Sequence, residues 1–471
     1  MPETFYPIAS FGGATKTAMR FEADVFECEV IGEVPKELNG ALYRTGGDRE
    51  FPSLDGDVII NGDGMFSMFR FEDGHVSFRS RYVKTERLLT ERAARRRLYG
   101  SYRNRFTDDP STKGTDRNNT GNTYAFFHHG KLLALREDSH PYEIDPLTLD
   151  TLPKYDFNGT LKSKSLTAHP KIDPVTGEWW SFGLFANGEP DTNMMLHVID
   201  KSGKLVRQEM FQTPYPGLSH DFAVTREHVV FPIMPLTADP ARIAAGGPFY
   251  AFDPALPSVW GIMPRNGSVN EMRWFKVPGT FSGHIMNAYS DGDTVHVDAT
   301  ISPGNGFPFF PTVDGKWTDP KDGAAIITRV SFDLSKGENA VTQTPFAGAK
   351  GEMPRLDERF AMSDYRYGYF AFRDAPRFGI GRLDWKTGDM QIHEMPNSLA
   401  QEPLFVPRSA TSPEGDGFVL SVVNRNAENR ADLVILDGND VTKAPIATVK
   451  LPFNLSFSFH GCFVPENELP H

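Results

Sequence analysis

The sequence predicts an all-β chain of sequentially paired antiparallel strands, closed as a β-propeller. Three observations predict it. Strand–turn–strand segments recur from end to end, the apolar residues within them alternate with period two, and the 42 Gly and 36 Pro are spread throughout rather than gathered in linkers. A meander of 471 residues has to dispose of its sheet edges, and radial repetition of small sheets does so. A blade takes roughly 40–50 residues, so seven blades fit with room for long loops.

The segments, in chain order, are FEDGHVSFRSRYV (71–83), FFHHGKLLALRED (126–138), DPVTGEWWSFG (173–183), IDKSGKLVRQEMF (199–211), YSDGDTVHVDATI (289–301) and DWKTGDMQIHEM (384–395). Each carries a Gly, Asp or Asn turn between two alternating runs. In the first, Val76 and Phe78 face one way and Ser77 and Arg79 the other. One stretch breaks the pattern. TERLLTERAARRRLYGSYRN (85–104) is rich in helix formers and has no Gly before Gly100, so a helical cap insertion is expected there. Its Arg95–Arg97 cluster reads as a solvated face with Glu86 and Glu91 as partners, with a membrane surface or a partner protein as the alternative. No composition shift marks a boundary, so residues 1–471 are read as one domain.

Composition excludes several function classes. Aromatic residues make up 12%, including 37 Phe, too many for a disordered chain. The net charge of −12 argues against nucleic acid, whose phosphates are bound through Lys and Arg. No run of 18 apolar residues exists to span a bilayer. The start, MPETFYPIAS, lacks a basic stretch followed by an apolar one, so no signal peptide is read. Two cysteines, Cys28 and Cys462, make no disulfide framework, and a reducing cytoplasm is expected. Oligomeric state is not set by these features, and a homodimer is compatible with them.

There is no GxSxG elbow, P-loop, GxGxxG after a strand, HExxH or EF-hand loop. The histidines say more. His169 (LTAHPKIDP), His220 (GLSHDFAV), His284 (FSGHIMNAY) and His460 (FSFHGCFVP) each lie beside a turn or a strand start. They are far apart in the chain and converge only if a closed fold brings distant strands together. Read alone, each fits a packed core histidine; read together, they fit a four-imidazole metal site. A competing pair, His296 and Asp298, starts a two-His-one-carboxylate pattern, against which stands a polar strand face beside a DG turn.

A series of segments then identifies a family. IGEVPKELNGALYR (31–44), NGDGMFSMFRFEDG (61–74), YRNRFTDDPS (102–111), AHPKIDPVTG (168–177), HDFAV (220–224), RWFKVP (273–278), QEPLFVPRS (401–409), PEGDG (413–417), DLVILD (432–437) and FHGCF (459–463) occur in this order. The chain resembles the carotenoid cleavage oxygenases, and within them the lignostilbene dioxygenases and isoeugenol-cleaving relatives. The resemblance implies a seven-bladed propeller with Fe(2+) on its axis, held by His169, His220, His284 and His460. It implies second-layer carboxylates at Glu137 (REDSHPY), Glu352 (KGEMPRLD) and Glu402 (QEPLF), which accept the distal imidazole N–H and fix its tautomer. Thr123 (TGNTYAF) matches the residue whose methyl group crowds one iron position, leaving one open position for O2.

The implied reaction is oxidative cleavage of a C=C bond into two carbonyls, whose four electrons O2 accepts without a further cofactor. The substrate is a small apolar aromatic alkene, a hydroxystilbene first, with phenylpropenes such as isoeugenol and apocarotenoids as alternatives. Tyr102 matches the tyrosine that contacts the substrate's 4-hydroxyl. Two positions depart from the lignostilbene pattern: Arg136 stands where that group has Lys, and Ile60 where it has Phe. Arg remains charged and offers a planar fork suited to an anion, and Ile60 removes a stacking surface. Arg136 and Glu137 are neighbours on an expected strand, so both serve one site only if the strand bends or ends there. Phe309, with Phe310, is a candidate lining of the substrate pocket, or plain core. Two other classes remain open: a calcium-dependent propeller lactonase, which needs Asp, Asn and Glu ligands, and a propeller that only binds partners.

Overall fold

The computed structural model describes residues 19–52, 57–277 and 281–470. The N-terminal segment read for a signal lies outside these. By contact density the chain divides into two units. The first takes the chain up to Asp156, Pro376–Ile380 and the chain from Ile392; the second takes Phe157–Ala375 and Gly381–Gln391.

In the first unit, Ala23–Val25, His75–Tyr82, Asp63–Glu72, Gly40–Asp48 and Ser458–Pro465 pair in that order. The last of these is the C-terminal strand, set antiparallel on Gly40–Asp48 with Thr45 opposite His460. A parallel bridge from His460 to Tyr124 joins this meander to the next, Tyr124–His128, Lys131–Leu135, Tyr142–Ile144 and Thr151–Lys154. A third meander is Glu29–Gly32, Ala447–Lys450, Arg430–Asp437 and Gly417–Arg425, flanked by Ser398–Ala400 and Leu404–Pro407.

The second unit holds Lys171–Ile172, Trp179–Leu184, Asn193–Ile199 and Leu205–Gln212 in chain order. Next comes a sheet built on His228–Ala238, which pairs with Gly217–Leu218, Ala223–Val224, Tyr250–Phe252 and Ser258–Pro264, the last also pairing with Arg273–Val277. Then Phe281–Asp291, Thr294–Ser302, Ile326–Asp333 and Val341–Leu356 form a meander. The far half of Val341–Leu356 starts another with Tyr367–Asp374, to which this unit adds residues 381–384 and 390–391 of the next two strands. The described strands form five hydrogen-bonded sheets in which neighbours in sequence pair, the all-β meander expected.

All six turn segments read from the sequence join consecutive strands. Val76 and Phe78 are buried as the period-two reading requires. They join Leu42, Phe69, Leu433 and Ile435 in one apolar core, where Phe69 and Phe78 meet edge to face at 4.9 Å. Each such fully buried ring contributes about 1.5–3 kcal/mol.

The helix is shorter than expected. It spans Glu86–Ala94, capped by the Thr85 hydroxyl, and stops at Arg95 in the left-handed region with φ 54°. Glu91 ends it: its buried carboxylate accepts the N–H of Leu98 at 2.8 Å and of Tyr99 at 3.0 Å, pulling the chain off the helical path. The basic cluster is mostly engaged. Arg97 lies 3.2 Å from Asp57 and 3.6 Å from Glu91, and Arg96 is 2.7 Å from Asp109, while Glu86 pairs instead with Lys154.

Candidate metal centre

An uninterrupted strand sends side chains alternately to its two faces, so aiming one elsewhere needs a break or a bulge. His220 lies in such a break, between Gly217–Leu218 and Ala223–Val224, two short strands that both pair with His228–Ala238. His284 lies where the register of Phe281–Asp291 slips between Ser282 and Ile285. His169 precedes the strand Lys171–Ile172 and anchors its backbone N–H on the Thr167 hydroxyl at 3.1 Å.

These three buried histidines converge within the second unit. His220 Nε2 is 3.1 Å from His169 Nε2 and 3.1 Å from His284 Nε2. A ring nitrogen binds a first-row divalent ion at about 2.1 Å, and two such bonds at right angles separate the nitrogens by about 3 Å. The spacing therefore fits ligands of one ion. The donor chemistry fits as well, since imidazole suits iron and its neighbours, whereas calcium takes oxygen.

His284 is oriented from behind. Its Nδ1 lies 2.6 Å from Glu352 Oε2, which also accepts the Met353 N–H at 2.8 Å, while Glu352 Oε1 accepts the Thr300 hydroxyl at 2.8 Å. Burial pushes the Glu352 carboxyl up, but His284 and these hydrogen bonds outweigh it and hold it at about 2. An ionised carboxylate only accepts, so the proton sits on Nδ1 and Nε2 is left as a lone-pair donor. Glu352 itself sits at a register slip in Val341–Leu356. Gly283 makes room for it: a Cβ there would collide with Glu352 Oε1 and come within 2.8 Å of Thr300 Oγ1. Gly283→Ala is expected to push Glu352 off His284 and weaken metal affinity about 10–100-fold, read by ferrous-iron titration of the apoprotein.

The first unit repeats the device. His460 Nδ1 lies 2.8 Å from Glu402 Oε1, and Glu402 Oε2 accepts Arg44 Nη1 at 2.7 Å and the Gly461 N–H at 3.1 Å. Glu402 occupies the break between Ser398–Ala400 and Leu404–Pro407, and a register slip flanks His460 in the C-terminal strand.

The same unit holds Tyr102, Arg136 and Ile60, three of the residues read as substrate contacts. Asn122 is their hub. Its amide donates to the carbonyls of Ile60 at 3.0 Å and Gly62 at 2.8 Å, and its carbonyl accepts Thr123 Oγ1 at 3.1 Å and Arg136 Nη1 at 3.0 Å. Arg136 is buried, with its guanidinium carbon 5.2 Å from the centre of the Tyr102 ring. Its strand ends at Leu135, which removes the expected conflict with Glu137. Glu137 is half-buried in the turn that follows. Arg136 Nε lies 3.4 Å from Asp138 Oδ1, whose other oxygen is 3.0 Å from Arg103 Nε. Burial works against the Arg136 charge, but Tyr102, Asp138 and Glu137 outweigh it and raise its affinity for the proton. Burial pushes the Tyr102 hydroxyl up to about 12, so it remains a donor at neutral pH.

Other candidates resolve as follows. Phe309 is half-buried and stacks on Phe307 at 5.4 Å, while Phe310 is core against Tyr250. Phe307, not singled out in the sequence, meets the His220 ring edge to face at 5.1 Å. The competing pair is no site: Asp298 binds Arg329 through both oxygens at 2.8 Å and the Tyr365 hydroxyl at 2.9 Å, while His296 faces the Ser331 hydroxyl at 2.7 Å. Among the described residues the donor cluster is one of histidines, which leaves the calcium lactonase alternative unsupported. Asp138, Asn122 and Arg44 were also missed. Asp138 and Arg44 sit inside recognised segments, but nothing local marks them as buried.

The family model described as Retinal pigment epithelial membrane protein (RPE65) matches residues 16–465. Isoeugenol monooxygenase of Pseudomonas nitroreducens is 43% identical, covering 95% of this chain and 96% of that protein. Lignostilbene-alpha,beta-dioxygenase isozyme III of Sphingomonas paucimobilis is 39% identical, covering 96% of each. The crystal structure of Pseudomonas brassicacearum lignostilbene dioxygenase matches with a TM-score of 0.94 at 39% identity, over 99% of this chain and 100% of that one. A cobalt-substituted Synechocystis apocarotenoid oxygenase matches with a TM-score of 0.82 at 27% identity, over 94% and 96%.

Proposed function

The chain belongs to the RPE65 family, the carotenoid cleavage oxygenases, and from that premise we propose that it is an iron-dependent dioxygenase cleaving the C=C bond of a hydroxylated aromatic alkene. The reading puts a hydroxystilbene first and two aromatic aldehydes as products. The observation that carries it is the convergence of the His169, His220 and His284 imidazoles, with the far nitrogen of His284 held by the Glu352 carboxylate. His169, His220, His284 and His460 are the proposed donors, and the proposed ion is Fe(2+).

Bound ferrous iron supplies the redox chemistry that lets O2 take four electrons from one C=C as it becomes two carbonyls. The protein's own work is positional. Glu352 and Glu402 hold imidazole protons on the side away from the ion, and Glu137 is proposed to do the same for a third ring. Thr123 is proposed to shield one iron position with its methyl group. Tyr102 stays protonated and donates to the ring oxygen of the substrate. Arg136, steadied by Asn122, places a fixed cation on the same oxygen. Ile60 and Phe309 cover the apolar ring, which keeps water from the alkene. One family model spanning residues 16–465 supports a single catalytic domain. A cytoplasmic location belongs to the proposal, supported by a cysteine count of two, too few for a disulfide framework; no described helix is long and apolar enough to cross a membrane.

A phenylpropene is the second reading, favoured by isoeugenol monooxygenases at 43% and 42% identity. The test is turnover of stilbenes, phenylpropenes and apocarotenoids by iron-loaded protein under labelled O2. The expected result is two aldehydes from a 4-hydroxystilbene, each carrying an oxygen from O2. A panel left intact overturns the proposal, and preferred cleavage of isoeugenol moves the substrate to the second reading. Arg136→Met is expected to cut kcat/KM for the 4-hydroxy substrate about 10–100-fold, the worth of a lost charge-assisted hydrogen bond. The 4-methoxy analogue should lose much less.

A further inference from the structure

Asp221 is buried at 4% exposure and uses both oxygens on donors from three segments. Oδ1 accepts the Phe222 N–H at 2.7 Å and Lys171 Nζ at 2.8 Å. Oδ2 accepts the Ile285 N–H at 2.8 Å and lies 3.9 Å from His169 Nδ1. Each segment carries one imidazole of the cluster. Asp221 follows His220, Ile285 follows His284, and Lys171 comes two residues after His169.

The local backbone cannot do this fastening. His169 stands outside any strand, His220 sits in a strand break, and His284 sits at a register slip. Such irregular stretches lack the continuous ladder that holds an ordinary strand residue. Three imidazoles left to move would lose rotational freedom when an ion bound, and affinity would fall by that cost. A single ionised group that accepts from all three segments removes most of it beforehand. Its charge also faces a set of neutral rings, where a divalent ion needs compensation.

We propose that Asp221, together with Lys171, is a positioning residue of the metal centre, clamping the segments that bear His169, His220 and His284 so that their nitrogens converge before the ion arrives. This rests on the metal-site reading given above. The competing view is a carboxylate that only satisfies two backbone N–H groups. That view predicts unchanged metal affinity in any variant that folds.

The experiment titrates cobalt(II) into chelator-stripped full-length protein and reads affinity and the visible d–d spectrum. The proteins are wild type, His284→Ala, Asp221→Asn and Lys171→Met, each checked by circular dichroism. Asp221→Asn keeps the shape but removes the charge, and should weaken cobalt binding about 10–100-fold with an altered d–d spectrum. Lys171→Met leaves the backbone N–H donors to Asp221 intact and should weaken binding at least about three-fold, within the same range of outer-layer effects. If Asp221→Asn fails to fold, Lys171→Met decides. Wild-type affinity and spectrum in the folded Asp221 and Lys171 variants overturn the clamp, provided His284→Ala has lost the ion. Cobalt binding by His284→Ala at wild-type affinity overturns the metal-site reading itself, and the clamp with it.

Discussion

His220→Ala is expected to lose bound iron and alkene cleavage together while the β-fold persists. His220 is the middle imidazole of the cluster, 3.1 Å from each neighbour, so its loss removes the ring that bridges the other two. The side chain packs edge-on against Phe307 and lies in a strand break, so its removal leaves the ladder of His228–Ala238 intact. Iron content should fall well below stoichiometric. Turnover should drop at least about a thousand-fold, because a metal supplies several kcal/mol of the barrier reduction and each 1.36 kcal/mol is a factor of ten. Metal analysis and product chromatography on the same sample check both. A propeller that only binds partners predicts a variant with unaltered metal content and no activity to lose, and that result would sink the enzymatic reading.

Glu402→Ala has the largest expected cost in stability. Arg44 is 1% exposed and Glu402 2% exposed, and they meet at 2.7 Å. Deleting one partner of a buried ion pair leaves the other charge without compensation, at about 3–5 kcal/mol. The Phe459 carbonyl, 3.1 Å from Arg44 Nη2, offsets a small part of this. The same substitution frees the His460 ring, so metal affinity should fall as well. Urea denaturation of the apoprotein isolates the first effect: the midpoint should drop while the slope stays constant. Adding Arg44→Met should restore part of the stability but none of the metal affinity, since it removes the stranded charge without returning the partner of His460. A midpoint shift worth under about 1 kcal/mol would show that water reaches Arg44 and that the pair is not a buried one.

Much of the strand framework was legible because its signals are local. Turn residues and period-two alternation act within ten residues, and the six segments read this way all lie between consecutive strands. The helix was overextended to residue 104 because what ends it is a side-chain contact rather than a breaker residue: Glu91 captures the N–H groups of Leu98 and Tyr99. Tyr102 and Arg136, far apart in the chain, lie against each other with the guanidinium carbon 5.2 Å from the ring centre, a contact that no local pattern announces. The His296–Asp298 pair looked like ligands in one dimension and is consumed by Arg329, Tyr365 and Ser331 in three.

Residue types and their order were enough to establish an all-β chain, the four candidate histidines and, through resemblance, the family. Where those side chains point was settled by long-range pairing. Alternation along a regular strand would have sent His284 and Glu352 to fixed faces; register slips and interrupted strands re-aim them, and these arise from how distant strands pair. Asp221 shows the limit most clearly. It stands in a recognised motif beside a candidate ligand, yet its partners lie on segments far from it in the chain. A contact between residues far apart leaves no local periodicity to read, so only the folded chain reveals it.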